Sequence, residues 1–494
     1  MKLKCIVLLL LGVCVSTFSI RANEPMNEII TPQQAIDKFV GDSALRYASV
    51  GVSVVSLDSM DVVAEYNPYQ SQITASTMKT VTSATALKLL GKDFRFHTHV
   101  VADGEISKKG KLKGDLLIKG GGDPTLGSCH FQQSTGFVDS LVLILKKYGI
   151  NEIQGDVVVD DMAYPSPYVP ASWMIEDLGY GYGTGVHALN FADNTLKLNV
   201  NIGHDTFEYD TDQYQSYLSV ENHCTVMSEE NDSVSISGLG LRLDIENDIL
   251  HLSGNVKPDK IRMTIANPSP DQLLRDSLLF ALEMAGIEVK CKNIDKEDRV
   301  TSSRLLDYTS PALSDIVKSL LERSDNMYTE CVLRAIAVNA HKQATAENGV
   351  EIVKEFWKDR GVDVEGLFML DGSGLSRTNK APVSFFTHML AVAEKELRED
   401  GIEFHEHFPV AGINGTVKRV AAGTSAAGKF ALKSGSMSHV QCYVGYYPVE
   451  NPQYTVGILI NSFTCPRSEL VKMVSDMLVG IDSGLSQDKS QKPE

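Results

Sequence analysis

Ser76 stands three residues ahead of Lys79 in the stretch "TASTMKTVTSATALKLLG", residues 74 to 91. On a helix that spacing puts a hydroxyl and an amine on one face, close enough to hydrogen-bond. A serine so placed becomes a nucleophile when the amine is neutral part of the time, which happens to a lysine that is desolvated or faces a second cation. The pattern alone is weak, because "SQDK" at Ser486 to Lys489 matches it as well. An ordinary helix start that happens to contain both residues is the competing reading.

A second cation is available in "ALKSGSM", residues 431 to 437, where Lys433 lies on a predicted strand and is followed by Ser434 and Gly435. A glycine in mid-strand weakens the strand but lets a ligand backbone approach closely. Alone, this stretch reads as an exposed lysine beside a glycine bulge. In "ERSDNMYTE", Ser324, Asp325 and Asn326 interrupt a helical pattern; alone, they read as a polar turn between two helices. "SGN" at Ser253 to Asn255 shows how easily a single Ser-x-Asn arises.

These residues need a scaffold. Residues 48 to 67 alternate apolar and polar around a turn at Asp58 to Asp61, which predicts a hairpin. Met78, Val81, Leu87 and Leu90 recur with helical spacing from Ser76 onward, and Gly91 is a natural stop. From about 100 to 260 the chain is rich in short strands and acidic turns. Helical periodicity returns in "DQLLRDSLLFALEMAG" and "LSDIVKSLLERSDNMYTECVLRAIAVNA". "KFALKSGSMS", "HVQCYVGYYPV" and "YTVGILINSF" then predict three antiparallel strands, and "RSELVKMVSDMLVGI" a closing helix. The fold class is α+β, with helical and sheet-rich ends flanking a β-rich insertion.

The chain has 494 residues, 43% of them hydrophobic and 22% charged, enough for several packed cores. Its formal net charge of −17 and its lack of a basic run interleaved with aromatics argue against nucleic acid as a partner. An anionic ligand must therefore meet a local basic site. The N-terminus, "MKLKCIVLLLLGVCVSTFSIRANEP", pairs two lysines with an apolar run too short to span a membrane and then small residues, which is a secretory signal pattern. Export is expected, to the periplasm or cell envelope, with no stable membrane span. An uncleaved anchor is the alternative, and lipidation at Cys14 is disfavoured by the bulky Val13 before it.

Cys129, Cys224, Cys291, Cys331, Cys442 and Cys465 lie beyond that segment at wide spacings that predict buried free thiols rather than a disulfide framework. No CxxC pair, HExxH or EF-hand loop is present, so no metal and no cofactor is expected. His405 and His407 in "FHEHF" would share a strand face, where two histidines without a third ligand read as surface residues.

Taken in order, Ser-x-x-Lys, Ser-x-Asn and Lys-Ser-Gly match the trio that marks β-lactamases and penicillin-binding proteins. The sequence resembles the D-alanyl-D-alanine carboxypeptidase/endopeptidase family, the class C low-molecular-mass penicillin-binding proteins. That family carries a large insertion between its first two motifs, and Ser76 and Ser324 are here widely separated. Family-like stretches cover most of the mature chain: "KGGGDPTL" (119 to 126), "GDVVVDD" (155 to 161), "SWMIEDLGYGYG" (172 to 183), "LDGSGLSR" (370 to 377) and "FPVAGINGTVKR" (408 to 419). One departure stands out, Lys433-Ser434-Gly435-Ser436 where the family usually has Lys-Thr-Gly-Thr. Both hydroxyls survive.

The resemblance implies a β-lactamase/transpeptidase-like domain in two segments, 26–98 and 262–482, with inserted domains at 99–261, one nested in the other. A signal peptide at 1–22 and a disordered tail at 483–494 complete the expected layout. It implies a serine-type D-Ala-D-Ala carboxypeptidase, with possible endopeptidase action, that cleaves peptidoglycan stem peptides through an acyl-enzyme and is acylated by penicillin. Ser76 would be the nucleophile, Lys79 its base, and Ser324 a proton relay. Asn326 would hold substrate, Lys433 and Ser434 would receive the terminal carboxylate, and the backbone N–H groups of Ser76 and Ser436 would form the oxyanion hole. By position in their motifs, Asp177, Arg377 and Met437 would line a pocket for the diamino-acid side chain, with structural salt bridging as the bland alternative for the first two. A β-lactamase or esterase on the same scaffold and a silent wall-binding module are the rival functions.

Overall fold

The computed structural model describes residues 30–203, 206–211, 218–227, 238–292 and 301–491. The expected signal segment lies outside them. Its central sheet has five strands in the order Ala431–Met437, Val440–Tyr447, Tyr454–Asn461, Ser49–Ser56 and Val62–Tyr66, each antiparallel to the next. The inner strands are hydrophobic on both faces because both faces are covered, whereas the edge strand Val62–Tyr66 buries only Ala64. Cys442, Val444 and Tyr446 turn toward a helical core that also holds Met78, Trp357 and Phe386. Tyr443, Val52 and Ile458 turn the other way, onto the helices Pro32–Val40 and Arg467–Gln491.

The Ser76 segment begins as a 3₁₀ turn, Ala75–Thr77, and continues as the helix Met78–Leu90. Sequence spacing suggests a helix with one apolar stripe, but residues 78 to 87 are buried all round. Apart from Lys79, their polar members are small hydroxyls: Thr80 Oγ1 donates to the Thr77 carbonyl and Thr85 Oγ1 to that of Val81, each at 2.8 Å, while Thr82 Oγ1 donates to the distant Gly372 carbonyl at 2.9 Å. A helix with threonine and alanine on every side can pass through the middle of a domain. Gly91 closes it with φ +84°, a left-handed value that an L side chain rarely adopts.

The inserted region is larger than the sequence suggests. Its main sheet pairs His97–Ile106 with Lys111–Lys119 on one side and with Ser302–Thr309 on the other. The helix Pro270–Met284 contributes Leu273, Leu274, Leu278 and Leu282 to the core of that region. The chain therefore returns to the catalytic domain near Ser310, and not at 262. Periodicity shows the helix but not which sheet it covers. Two three-stranded sheets nest between these segments. One comprises Thr195–Ile202, Phe207–Thr211 and Asp259–Ala266, the other Ser219–Val226, Gly240–Asp244 and Ile249–Val256.

Three local expectations also change. The helix Arg467–Gln491 continues into the segment expected to be a disordered tail, because Leu485 is buried in the core on that side of the sheet and Tyr447 meets Ser486; residues 492–494 lie outside the described residues. His405 and His407 lie in a 3₁₀ turn and are buried, the first bonded to Glu394 at 2.6 Å and the second to Ser314 at 2.9 Å. The six cysteines among the described residues are free, but of these only Cys331 and Cys442 are buried. Among the described residues no helix is long and apolar enough to cross a membrane.

Candidate active site

Four distant segments converge on Ser76. Lys79 Nζ lies 2.9 Å from Ser76 Oγ, 2.5 Å from Asn326 Oδ1 and 2.6 Å from the Ser373 carbonyl, so its three donors are all engaged. Ser76 itself remains partly open to solvent while Lys79 is fully buried. Burial lowers the lysine to about 8 against the opposing pull of Asp371, Asp325 and Glu330. The amine therefore loses its proton far more readily than an ordinary lysine, as a base on a serine hydroxyl must.

Ser324 and Asn326 come from the break between the helices Leu313–Arg323 and Asn326–Asn339. Ser324 caps the first helix in the left-handed conformation (φ 62°, ψ 44°), a strained position for a residue with a Cβ. Asp325 then caps the second by accepting from the Tyr328 N–H at 3.0 Å. The turn aims Ser324 Oγ at Lys433 Nζ, 2.8 Å away, while Asn326 Nδ2 donates to the Tyr182 carbonyl at 2.8 Å. That carbonyl belongs to the inserted region, which therefore forms part of the wall.

Lys433 sits on the edge strand Ala431–Met437. It also donates to the Ser434 carbonyl at 2.7 Å, and Ser434 Oγ donates to Thr416 Oγ1 at 2.7 Å. Burial pushes Lys433 well below the ordinary lysine value, and the charge on Lys79 adds to the effect. The two ammonium groups disfavour each other, while nearby carboxylates hold Lys79 up. A Cβ at Gly435 would fall 2.7 Å from the Thr74 carbonyl and 3.0 Å from the Ser76 nitrogen, so only glycine lets the strand lie against the Ser76 turn. Ser436 is exposed on that strand and donates to Gln441 at 2.8 Å.

A loop that sequence reasoning had marked only as family-like supports the lysine. Asp371 accepts from the N–H groups of Gly374 and Ser376, from Asn379 and from the Trp173 indole, each between 2.6 and 2.8 Å. Gly374 (φ +78°) is required there, since a Cβ would lie 1.9 Å from the Ala75 carbonyl. Glu330 accepts the Ser373 N–H at 2.8 Å, and its carboxyl is raised to about 7 by burial and by the charge on Asp371. Trp173, Asp371, Ser373, Glu330, Thr416 and Tyr182 have no motif chemistry of their own; only their places in "SWMIEDLGYGYG", "LDGSGLSR" and "FPVAGINGTVKR" single out most of them.

The geometry of the expected side-chain pocket is looser. Asp177 accepts the Tyr182 hydroxyl at 2.9 Å, and Arg377 lies 3.8 Å from Glu176. Met437 is half-buried where the catalytic and inserted cores meet. A cavity of about 470 Å³ opens beside Ser324 and Asn326, with Tyr182, Asp193 and Lys197 on the inserted side.

Residues 32–473 match the model of the D-Ala-D-Ala carboxypeptidase 3 (S13) family. The chain belongs to that family. Family membership makes it a serine-type D-Ala-D-Ala carboxypeptidase. It is 27% identical over 455 residues to a D-alanyl-D-alanine carboxypeptidase of Actinomadura sp. (strain R39), covering 88% of this chain and 81% of that one. It is also 27% identical over 387 residues to the carboxypeptidase DacB of Haemophilus influenzae, covering 75% and 76%. The crystal structure of penicillin-binding protein 4 from H. influenzae superposes with a TM-score of 0.74 at 22% identity, over 91% of this chain and 99% of that one. That likeness shows a shared α+β transpeptidase-like fold.

Proposed function

We propose that this S13 carboxypeptidase works through an acyl-enzyme on Ser76 and acts on peptidoglycan stem peptides outside the cytoplasm. The observation that carries the residue roles is the buried Lys79 amine 2.9 Å from Ser76 Oγ. Ser76 Oγ attacks the carbonyl between two terminal D-alanines, and its proton passes to Lys79. The tetrahedral intermediate collapses as the C–N bond breaks, and the leaving amine takes a proton relayed through Ser324 from the lysine side. Water then hydrolyses the ester and frees Ser76.

The electrostatics suit an anionic peptide end. Lys433, Ser434 and Thr416 form a local donor cluster in a chain of net charge −17. An arriving carboxylate offsets the desolvation of Lys433 and favours its ammonium form. The backbone N–H groups of Ser76 and Ser436 serve the developing oxyanion, and each such donor is worth roughly 100- to 1,000-fold in rate. Asn326 orients the peptide, while Asp177, Arg377 and Met437 meet the diamino-acid side chain. The N-terminal segment directs export to the periplasm or cell envelope, and β-lactams acylate Ser76; the H. influenzae protein has been solved in complex with a β-lactam.

The same site would serve cleavage of cross-links as well as removal of the terminal D-alanine, because both reactions break a bond after a D-alanine. Incubation with cross-linked and uncross-linked muropeptides, read by mass spectrometry, tests this. Loss of D-alanine from monomers together with conversion of dimers to monomers is expected. Untouched dimers would restrict the enzyme to trimming, and turnover by a Ser76→Ala variant would refute the nucleophile.

A further inference from the structure

Glu221, His223 and His251 gather on the outer face of a sheet in the inserted region, remote in sequence from every motif of the acylation site. Glu221 and His223 are alternate residues of the strand Ser219–Val226 and so share a face. His251 lies directly opposite Glu221 on the neighbouring parallel strand Ile249–Val256. The other face of the two strands carries Val220, Leu250 and Leu252 into the core. The histidines stay out of that core, and their rings stack on each other, with centroids 5.5 Å apart.

The three donor atoms form a nearly equilateral triangle. Glu221 Oε2 is 3.2 Å from His223 Nε2 and 3.2 Å from His251 Nδ1, and the two nitrogens are 3.3 Å apart. Nitrogen and oxygen donors held about 2.0–2.1 Å from a zinc ion in a tetrahedron stand about 3.3–3.4 Å from one another. Two imidazoles and a carboxylate also match the N/O donor set that zinc takes when one coordination position is left to water.

We propose that Glu221, His223 and His251 bind one zinc ion, with water as fourth ligand. His223 then carries its proton on Nδ1 and His251 on Nε2, so that the converging nitrogens offer lone pairs. Glu221 supplies the one negative charge of the triangle. Arg242, opposite His251 on the third strand, and Asp244 two residues along contribute one charge of each sign around it. The ion ties the outermost strand of this three-stranded sheet to its centre and stabilises the nested domain without entering the acylation chemistry. No sequence pattern reveals it, because His251 is distant in the chain and only strand pairing brings it over Glu221.

Zinc titration of the metal-stripped full-length protein by calorimetry tests the site. One zinc per chain is expected, with affinity at least about tenfold weaker in His223→Ala, His251→Ala and Glu221→Gln. Zinc should raise the thermal unfolding midpoint of the wild type and not of those variants. Their unchanged rate of penicillin acylation would show that the fold is kept. Cys129, His130 and Asp193 form a second donor cluster elsewhere, so a Cys129→Ser, His130→Ala double variant should bind zinc as the wild type does. Absence of a stoichiometric site, equal affinity in the His223 and His251 variants, or a thiolate charge-transfer band on cobalt substitution would overturn the proposal.

Discussion

Lys433 Nζ lies 2.8 Å from Ser324 Oγ, joining the edge strand of the central sheet to a left-handed turn between two helices. A parallel contact joins Lys79 to Ser76, and Asn326 reaches Lys79 from the same turn. Each of the two lysines thus lies beside a serine, and under the proposed mechanism one amine takes the proton of Ser76 and the other meets the substrate's carboxylate.

Acylation by a fluorescent penicillin should rise with pH through about 8 and then level, because Lys79 acts as a base only when neutral and its value is lowered to about 8. Lys79→Arg, which cannot lose its proton, should slow acylation by about 100- to 10,000-fold. A flat profile in stopped-flow measurements would remove Lys79 from the role of base.

Lys433→Ala should lower kcat/KM for peptides ending in a free carboxylate by much more than for a neutral ester. A buried ammonium in hydrogen bonds with a carboxylate contributes roughly 1.5–3 kcal/mol. Equal losses on both substrates would deny it the anchoring role.

Gly435→Ala places a methyl 2.7 Å from the Thr74 carbonyl and must push the edge strand off the Ser76 turn. Overpacking of this kind costs about 1–3 kcal/mol. Slower acylation together with a lower unfolding midpoint is expected; unchanged kinetics would mean that the strand has room to spare.

Asp123, from "KGGGDPTL", is fully buried with Oδ1 bonded to Thr125 and Oδ2 unpartnered, and burial raises it from 3.8 to about 6. The folded chain thus holds this proton more tightly than the unfolded chain, so the contribution is full below the unfolded value and is lost as pH rises through about 6. The ceiling is about 3 kcal/mol. Asp123→Asn should therefore stabilise the protein at neutral pH and do little at acid pH, as urea unfolding at the two conditions would show.

The α+β class, the hairpin of residues 48 to 67, the three late strands and the break at Ser324 were legible because each rests on local periodicity or on a polar interruption of it. Ser76, Lys79, Ser324, Asn326 and Lys433 stood out by their types and order in the chain, and the fold brings their side chains together. The extent of the inserted region was not, since Ser302–Thr309 looks like any strand until it pairs with His97–Ile106. Nor was the burial of His405, which depends on Glu394 arriving from another helix.

The sequence by itself determined which groups could react and which segments would coil or extend, because spacing along a chain fixes what shares a helix face or a strand face. Tertiary structure alone decided that Lys79 is dry, that Trp173 and Asp371 hold the loop bonded to it, and that Glu221 faces His251. Desolvation and cross-strand pairing depend on segments distant in sequence, and no local pattern encodes their meeting.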